Sequence, residues 1–211
     1  MTNQRILNKG IKFVAEASPA LRPHIEARPK FDLLPKPHDP VTYFQDLAYS
    51  VLGQQISVAA ALSIKGRLNA EMGGKLTPRK ILNSSESDLR ACGLSGAKVR
   101  TIQGLATAYL DKSINYAHLP ELDDEEIIRE MTQVWGIGRW TVEMFLMFTL
   151  GRLDVWPVGD LGVRKGFAVA HGLDETPTEK QIAPLGDPFG PYRSIAAWYC
   201  WRVLEPEERW S

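Results

Sequence analysis

The chain has 211 residues, 44% of them hydrophobic, and 25 Lys and Arg balance 25 Asp and Glu at zero formal net charge. That composition excludes wholesale disorder and a global basic field, so any grip on a polyanion has to come from a local patch or from backbone amides. Cys92, Cys200 and the four histidines fall at no metal-ligand spacing, and no apolar run approaches the roughly 18 residues of a membrane span.

Taken in order, the predicted elements are helices. "TNQRILNKGIKFVAEA" opens the chain, and a proline-rich connector, "RPKFDLLPKPHDP", follows it. From Val41 onward, "VTYFQDLAYSVLGQQIS" and "SVAAALSIKGRLNAEMG" carry apolar residues at three- and four-residue intervals and end near glycines. "SSESDLRACG" and "SGAKVRTIQGLATAYLDK" predict a short and a longer helix, and "LDDEEIIREMTQVWG" starts with the acids that favour a helix N-terminus. "GRWTVEMFLMFTLG", "DLGVRKGFAVAHG", "TEKQIAPLG" and "PYRSIAAWYCWRVLE" complete the series. Strand alternation is nearly absent and the joints are short and rich in Gly, Pro and Ser, which predicts an all-α fold of two helical lobes flanking a cleft.

"VWGIGRWT" interrupts this pattern, because glycine inside a helix costs about 1 kcal/mol against alanine. Read as helix, tight turn, helix, the segment gives Gly136 a positive φ and lets Gly138 bring the backbone close to a bulky group. The turn then presents unpaired N–H groups and a positive dipole end to solvent, a setting that suits a phosphate, with Arg139 adding charge and Thr141 a hydroxyl donor. A plain helical turn accounts for the two glycines equally well. "PVGDLGVRKG" likewise reads in two ways: Asp160 before a helix is a common N-cap, and it is also a candidate catalytic carboxylate. Asp154 reads as turn-forming.

"VWGIGRWTVEMFLMF", followed by "LDVWPVGDLGVRKGF", resembles the helix-hairpin-helix (HhH-GPD) DNA glycosylase superfamily, and within it the 3-methyladenine DNA glycosylase II branch. "VLGQQISVAAALSIKGRL" and "GPYRSIAAWYCWR" are similar to two further segments of that branch, in the same order, so the likeness runs over residues 41 to 204. It implies that the lobes flank a DNA-binding cleft, with residues 41–211 as one glycosylase core of two lobes. Residues 1–40 are then an N-terminal helix and Pro-rich connector packing on the C-terminal lobe, a compact form without the branch's N-terminal β domain.

The resemblance implies hydrolysis of the N-glycosidic bond of alkylated purines, of 3-methyladenine or 7-methylguanine type, after base flipping in damaged double-stranded DNA. Asp160 takes the place of the catalytic aspartate, where a carboxylate stabilises positive charge developing on the sugar or activates water. Trp140 stands where bifunctional members carry a Schiff-base lysine, which implies a monofunctional enzyme without AP-lyase activity. Trp140, Tyr192, Trp135 and Trp156 are the implied base pocket, where a cationic base gains cation–π attraction of about 0.5–2 kcal/mol. Trp198 and Trp201 read instead as core.

Gly136, Gly138, Arg139 and Thr141 form the implied DNA grip, joined by Lys98 and Lys165. In the loop "GQQIS", Gln55 is the expected wedge that fills the gap left by the flipped base, with Gln54 as the alternative. No cofactor, zinc or iron–sulfur cluster is expected. The resemblance allows a Na or K ion at the hairpin, on main-chain atoms of Thr132, Val134 and Ile137. A monomer in the cytoplasm, nucleoid-associated and away from membranes, is expected. Two other readings stay open: a non-catalytic helix-hairpin-helix DNA-binding module, and a glycosylase for oxidised or mismatched bases.

Overall fold

Short polar residues stop and start this chain. In a computed structural model, which describes residues 3–27, 31 and 39–205, Asp39, Ser57, Thr77, Ser95 and Asp160 each accept a backbone N–H from the first turn of the helix that follows. Three more starts, at Ser85, Asp123 and Thr178, are reciprocal capping boxes closed by Asp88, Glu126 and Gln181. Each such cap is worth about 1 kcal/mol, which makes the boundaries a local property of the sequence.

The helices are α1 (Asn3–Ala17), α2 (Arg22–Ala27), α3 (Pro40–Gly53), α4 (Val58–Glu71), α5 (Pro78–Asn83) and α6 (Glu86–Ala91). They continue with α7 (Gly96–Leu110), α8 (Asp124–Met131), α9 (Arg139–Phe148), α10 (Leu161–His171), α11 (Glu179–Leu185) and α12 (Arg193–Val203). Two short 3₁₀ turns lie at Leu119–Glu121 and Asp187–Phe189, and no strand occurs among the described residues. The all-α expectation holds. The periodicity did not predict α2 and α5, because six residues are too few to show a helical repeat; in α5 only Thr77 and Pro78, an N-cap followed by proline at the first helical position, marked the start.

The chain divides into two compact units. One, Lys36–Thr149, holds α3 to α9 around the apolar face of α3, where Phe44, Leu47 and Val51 are fully buried, with α7 and α9 against it. The other joins Met1–Pro35 to Leu150–Ser211, so the division runs through the segment expected as one core and returns residues beyond Leu150 to the unit of α1 and α2. In this second unit α12 is the axis: every residue from Ser194 to Cys200 is buried, and α1, α2 and α10 pack around it. Its partner α10 comes unusually close at Gly166, where a Cβ would lie 1.8 Å from the Cys200 carbonyl oxygen. Residues 28–30 and 32–38 of the proline-rich connector lie outside the described residues. Phe31 is buried edge-on against Trp198, with ring centroids 5.8 Å apart. No helix is long and apolar enough to cross a membrane.

Candidate functional site

The two hairpin glycines have different causes. Gly136 sits at φ +84°, and a Cβ there would lie 2.1 Å from Thr101 Oγ1 on α7. Both the backbone conformation and the close approach of α7 exclude a side chain. The Val134 carbonyl closes the turn by accepting the Ile137 N–H at 3.0 Å, and both side chains are buried beneath it. Gly138 is another matter. It is the N-cap of α9 at φ −97°, makes no side-chain cap, and a Cβ there would meet nothing within 4 Å. Nothing in the fold requires glycine at 138, and its use forgoes the roughly 1 kcal/mol that Ser or Asp would add as a cap. The first N–H groups of α9 consequently lack the side-chain acceptor that caps most other helices of this chain.

Arg139 and Thr141, expected to face a phosphate, are engaged within the protein. The Arg139 guanidinium donates to Glu143 Oε1 at 3.0 Å and to both carboxylate oxygens of Glu125. The hydrogen bond to Glu125 raises the Arg139 pKa, and the same contact holds Glu125 below the usual carboxylate range. Thr141 is 3% exposed, and its hydroxyl accepts the Gln54 side-chain N–H at 3.0 Å. The hydroxyl points inward because α9 packs on α3, a relation that sequence spacing does not carry.

Gln54 and Gln55 part company at the end of α3. Gln54 is tied to Thr141, whereas Gln55 is exposed and adopts φ +58°, an uncommon conformation for a side chain this large. Lys98 holds this loop from beneath. Its ammonium donates to the carbonyls of Leu52 at 2.8 Å and Gln54 at 2.9 Å, satisfying orphan acceptors at the C-terminus of α3, and burial lowers its pKa. The expected phosphate contact is thus replaced by a structural clamp on the loop that displays Gln55. Lys165, by contrast, is exposed on α10.

Asp160 is the N-cap of α10 and is 8% exposed. The Val163 amide donates to its Oδ1 at 2.7 Å, and the Trp201 indole N–H donates to the same atom at 2.9 Å. Gly162 makes room for this arrangement: a Cβ there would lie 2.8 Å from the Trp201 ring and 3.0 Å from Oδ1. Trp201, read from sequence as plain core, is therefore the residue that orients this carboxylate. The glycines at 162 and 166, one turn apart on α10, were the available signal for a close, side-chain-free approach of α12. Burial raises the pKa of Cys200, and the Asp160 charge adds to that effect.

The four aromatics expected in one pocket are divided between the units. Trp135 and Trp140 belong to the first, with 49% and 41% of their surface exposed; Trp156 and Tyr192 belong to the second. Trp156 is committed to packing. Its indole N–H donates to the Ile182 carbonyl at 3.0 Å, its ring lies against Phe167 and Phe189, and Gly186 abuts it so closely that a Cβ would fall 2.4 Å away. Tyr192 is half-buried beside Phe13 and Gly10 of α1. Trp198 is core, as expected, with Arg202 over its ring at 4.7 Å. Asp154, the expected turn residue, accepts from Arg193 at the start of α12.

Comparison with known proteins places the whole chain among relatives of one kind. The chain is 36% identical over 163 residues to DNA-3-methyladenine glycosylase 1 of Schizosaccharomyces pombe, covering 76% of this chain and 72% of that protein. A solved structure of a 3-methyladenine DNA glycosylase from the same yeast, in complex with abasic DNA, superposes with a TM-score of 0.82 at 30% identity, covering 92% of this chain and 95% of that one. A DNA-3-methyladenine glycosidase of Bacillus halodurans superposes with a TM-score of 0.78 at 33% identity, covering 91% and 87%. Residues 48–187, which contain the loop, the hairpin and Asp160, match the HhH-GPD superfamily, and the chain belongs to this superfamily of base excision DNA repair proteins.

Proposed function

We propose that the protein is a monofunctional DNA glycosylase that hydrolyses the N-glycosidic bond of alkylated purines, of 3-methyladenine or 7-methylguanine type, flipped out of damaged duplex DNA. The observation that carries this reading is Asp160, a buried carboxylate held on one oxygen by two donors in a chain whose hairpin leads into a helix without a side-chain cap.

Cleavage of the glycosidic bond builds positive charge on the deoxyribose. A fixed carboxylate stabilises that charge, or directs a water to C1′, without reorganising during the reaction. An alkylated purine is itself cationic and leaves readily, so a strong general acid is unnecessary. Trp140 in place of an amine nucleophile at the hairpin offers no Schiff base, hence no AP-lyase step. Among the described residues no three His, Cys, Asp or Glu gather into a metal-binding group. On the same reading a monovalent cation at the hairpin takes the main-chain carbonyls of Thr132, Val134 and Ile137, of which the Val134 oxygen also accepts the Ile137 N–H and keeps a second lone pair. Such an ion would supply positive charge to a phosphate at that turn.

Gln55 serves as the wedge on the same reading, because it is the glutamine of the loop that is exposed and untethered to Thr141. The test is base release from DNA treated with a methylating agent, followed for wild type and Asp160→Asn with the products identified. Release of methylated purines by the wild type, and a loss of two or more decades in the variant, is the expected outcome. Binding without release by the wild type would return the protein to the class of non-catalytic DNA-binding modules.

A further inference from the structure

Resting on the DNA-glycosylase reading above, we infer that the cation contacting a DNA phosphate at the hairpin is Arg100 of α7, which lies over the Trp135 ring, and not Arg139. Arg139 is held by Glu125 and Glu143, so its charge is outbalanced on the spot. Arg100 is exposed, its guanidinium carbon lies 4.1 Å from the centre of the Trp135 ring, and it has no carboxylate partner among the described residues.

The fold brings the pair together through small residues. Gly136 lies directly on Thr101, and Gly104, with a virtual Cβ 3.1 Å from Val134, continues the same face of α7. Positions 100 and 135 are the immediate neighbours of the Thr101–Gly136 contact, which sets the guanidinium at the edge of the turn whose α9 amides are uncapped. A guanidinium placed over an aromatic face needs none of its N–H donors for that contact, which leaves them for the bidentate pairing that phosphate favours. Trp135 also restricts the Arg100 side chain before binding, reducing the ordering that association requires. A neutral protein needs such a placed cation, because no global field draws it to DNA.

Affinity for a duplex carrying a tetrahydrofuran abasic analogue, measured by fluorescence anisotropy from about 50 to 200 mM salt, tests the assignment. Arg100→Gln is expected to flatten the log–log salt slope by about 0.9 and to weaken binding about eightfold at 0.1 M, with an unchanged Tm. Arg100→Lys keeps the slope. Trp135→Leu keeps the slope but loses about two- to fivefold in affinity, as the guanidinium is no longer held in place. Arg139→Gln keeps the wild-type slope and lowers Tm.

A wild-type slope in Arg100→Gln, or the 0.9 drop appearing in Arg139→Gln instead, overturns the inference. Methylpurine release by the wild type is scored separately, so a glycosylase whose slope ignores Arg100 refutes this assignment alone. Absence of both release and salt-dependent binding refutes the parent reading with it.

Discussion

Trp201→Phe tests whether the orientation of Asp160 matters. The substitution keeps an aromatic ring in the same place and removes one donor, the indole N–H that meets Asp160 Oδ1 at 2.9 Å in a site where the aspartate is 8% exposed. A hydrogen bond to a charged group in such a setting contributes about 1.5–3 kcal/mol. At about 2 kcal/mol and 2–4 °C per kcal/mol for a chain of this length, Tm falls by about 4–8 °C. The single-turnover rate of methylpurine release falls as well, by about fivefold if half of that energy serves the transition state. The assay is single-turnover excision at saturating enzyme beside thermal melting, for Trp201→Phe, Asp160→Asn and the double variant. With Asp160→Asn already in place, adding Trp201→Phe should change the rate little, because both act through one carboxylate. If Trp201→Phe melts early yet excises at the wild-type rate, the reasoning fails: the bond then stabilises the fold without orienting the catalyst.

The two hairpin glycines should respond in opposite directions. Gly136→Ala meets both a left-handed backbone and the Thr101 hydroxyl, so thermal melting should show a loss beyond the roughly 1–2 kcal/mol of the conformation alone. Gly138→Ser has open space and a new cap, so stability is kept or gains about 1 kcal/mol, while affinity for duplex DNA falls in the anisotropy assay. Lys98→Met removes the clamp on Leu52 and Gln54. Excision from duplex DNA should drop, while excision from a single-stranded methylated oligonucleotide, where no wedge is needed, stays near wild type. Glu125 has a folded pKa held down by Arg139, so its contribution to stability is present above its unfolded value and is lost as pH falls through the folded one. The Tm difference between wild type and Glu125→Gln should therefore be largest near neutrality and vanish in acid.

What the sequence by itself determined is the local grammar of the chain. Caps, helical periodicity and the glycines of 134–141 prescribe where helices start and stop, because each depends on residues within one turn of one another. They place a hairpin before α9 and a carboxylate at the head of α10, at the family's spacing. The Arg139–Glu143 pair, four residues apart on α9, was also within reach of spacing rules. Tertiary structure alone decided the partners. Glu125 reaches Arg139 from 14 residues away, Lys98 turns inward to carbonyls more than 40 residues distant, and Trp201 finds Asp160 across 41 residues. A long side chain's partner is set by which helices pack together, here α3 with α7 and α9, and α10 with α12, the last brought close by the glycines at 162 and 166. The same sequence signal, a cation or tryptophan near a motif, is thus resolved into clamp, core or ligand only once that packing fills the space around it.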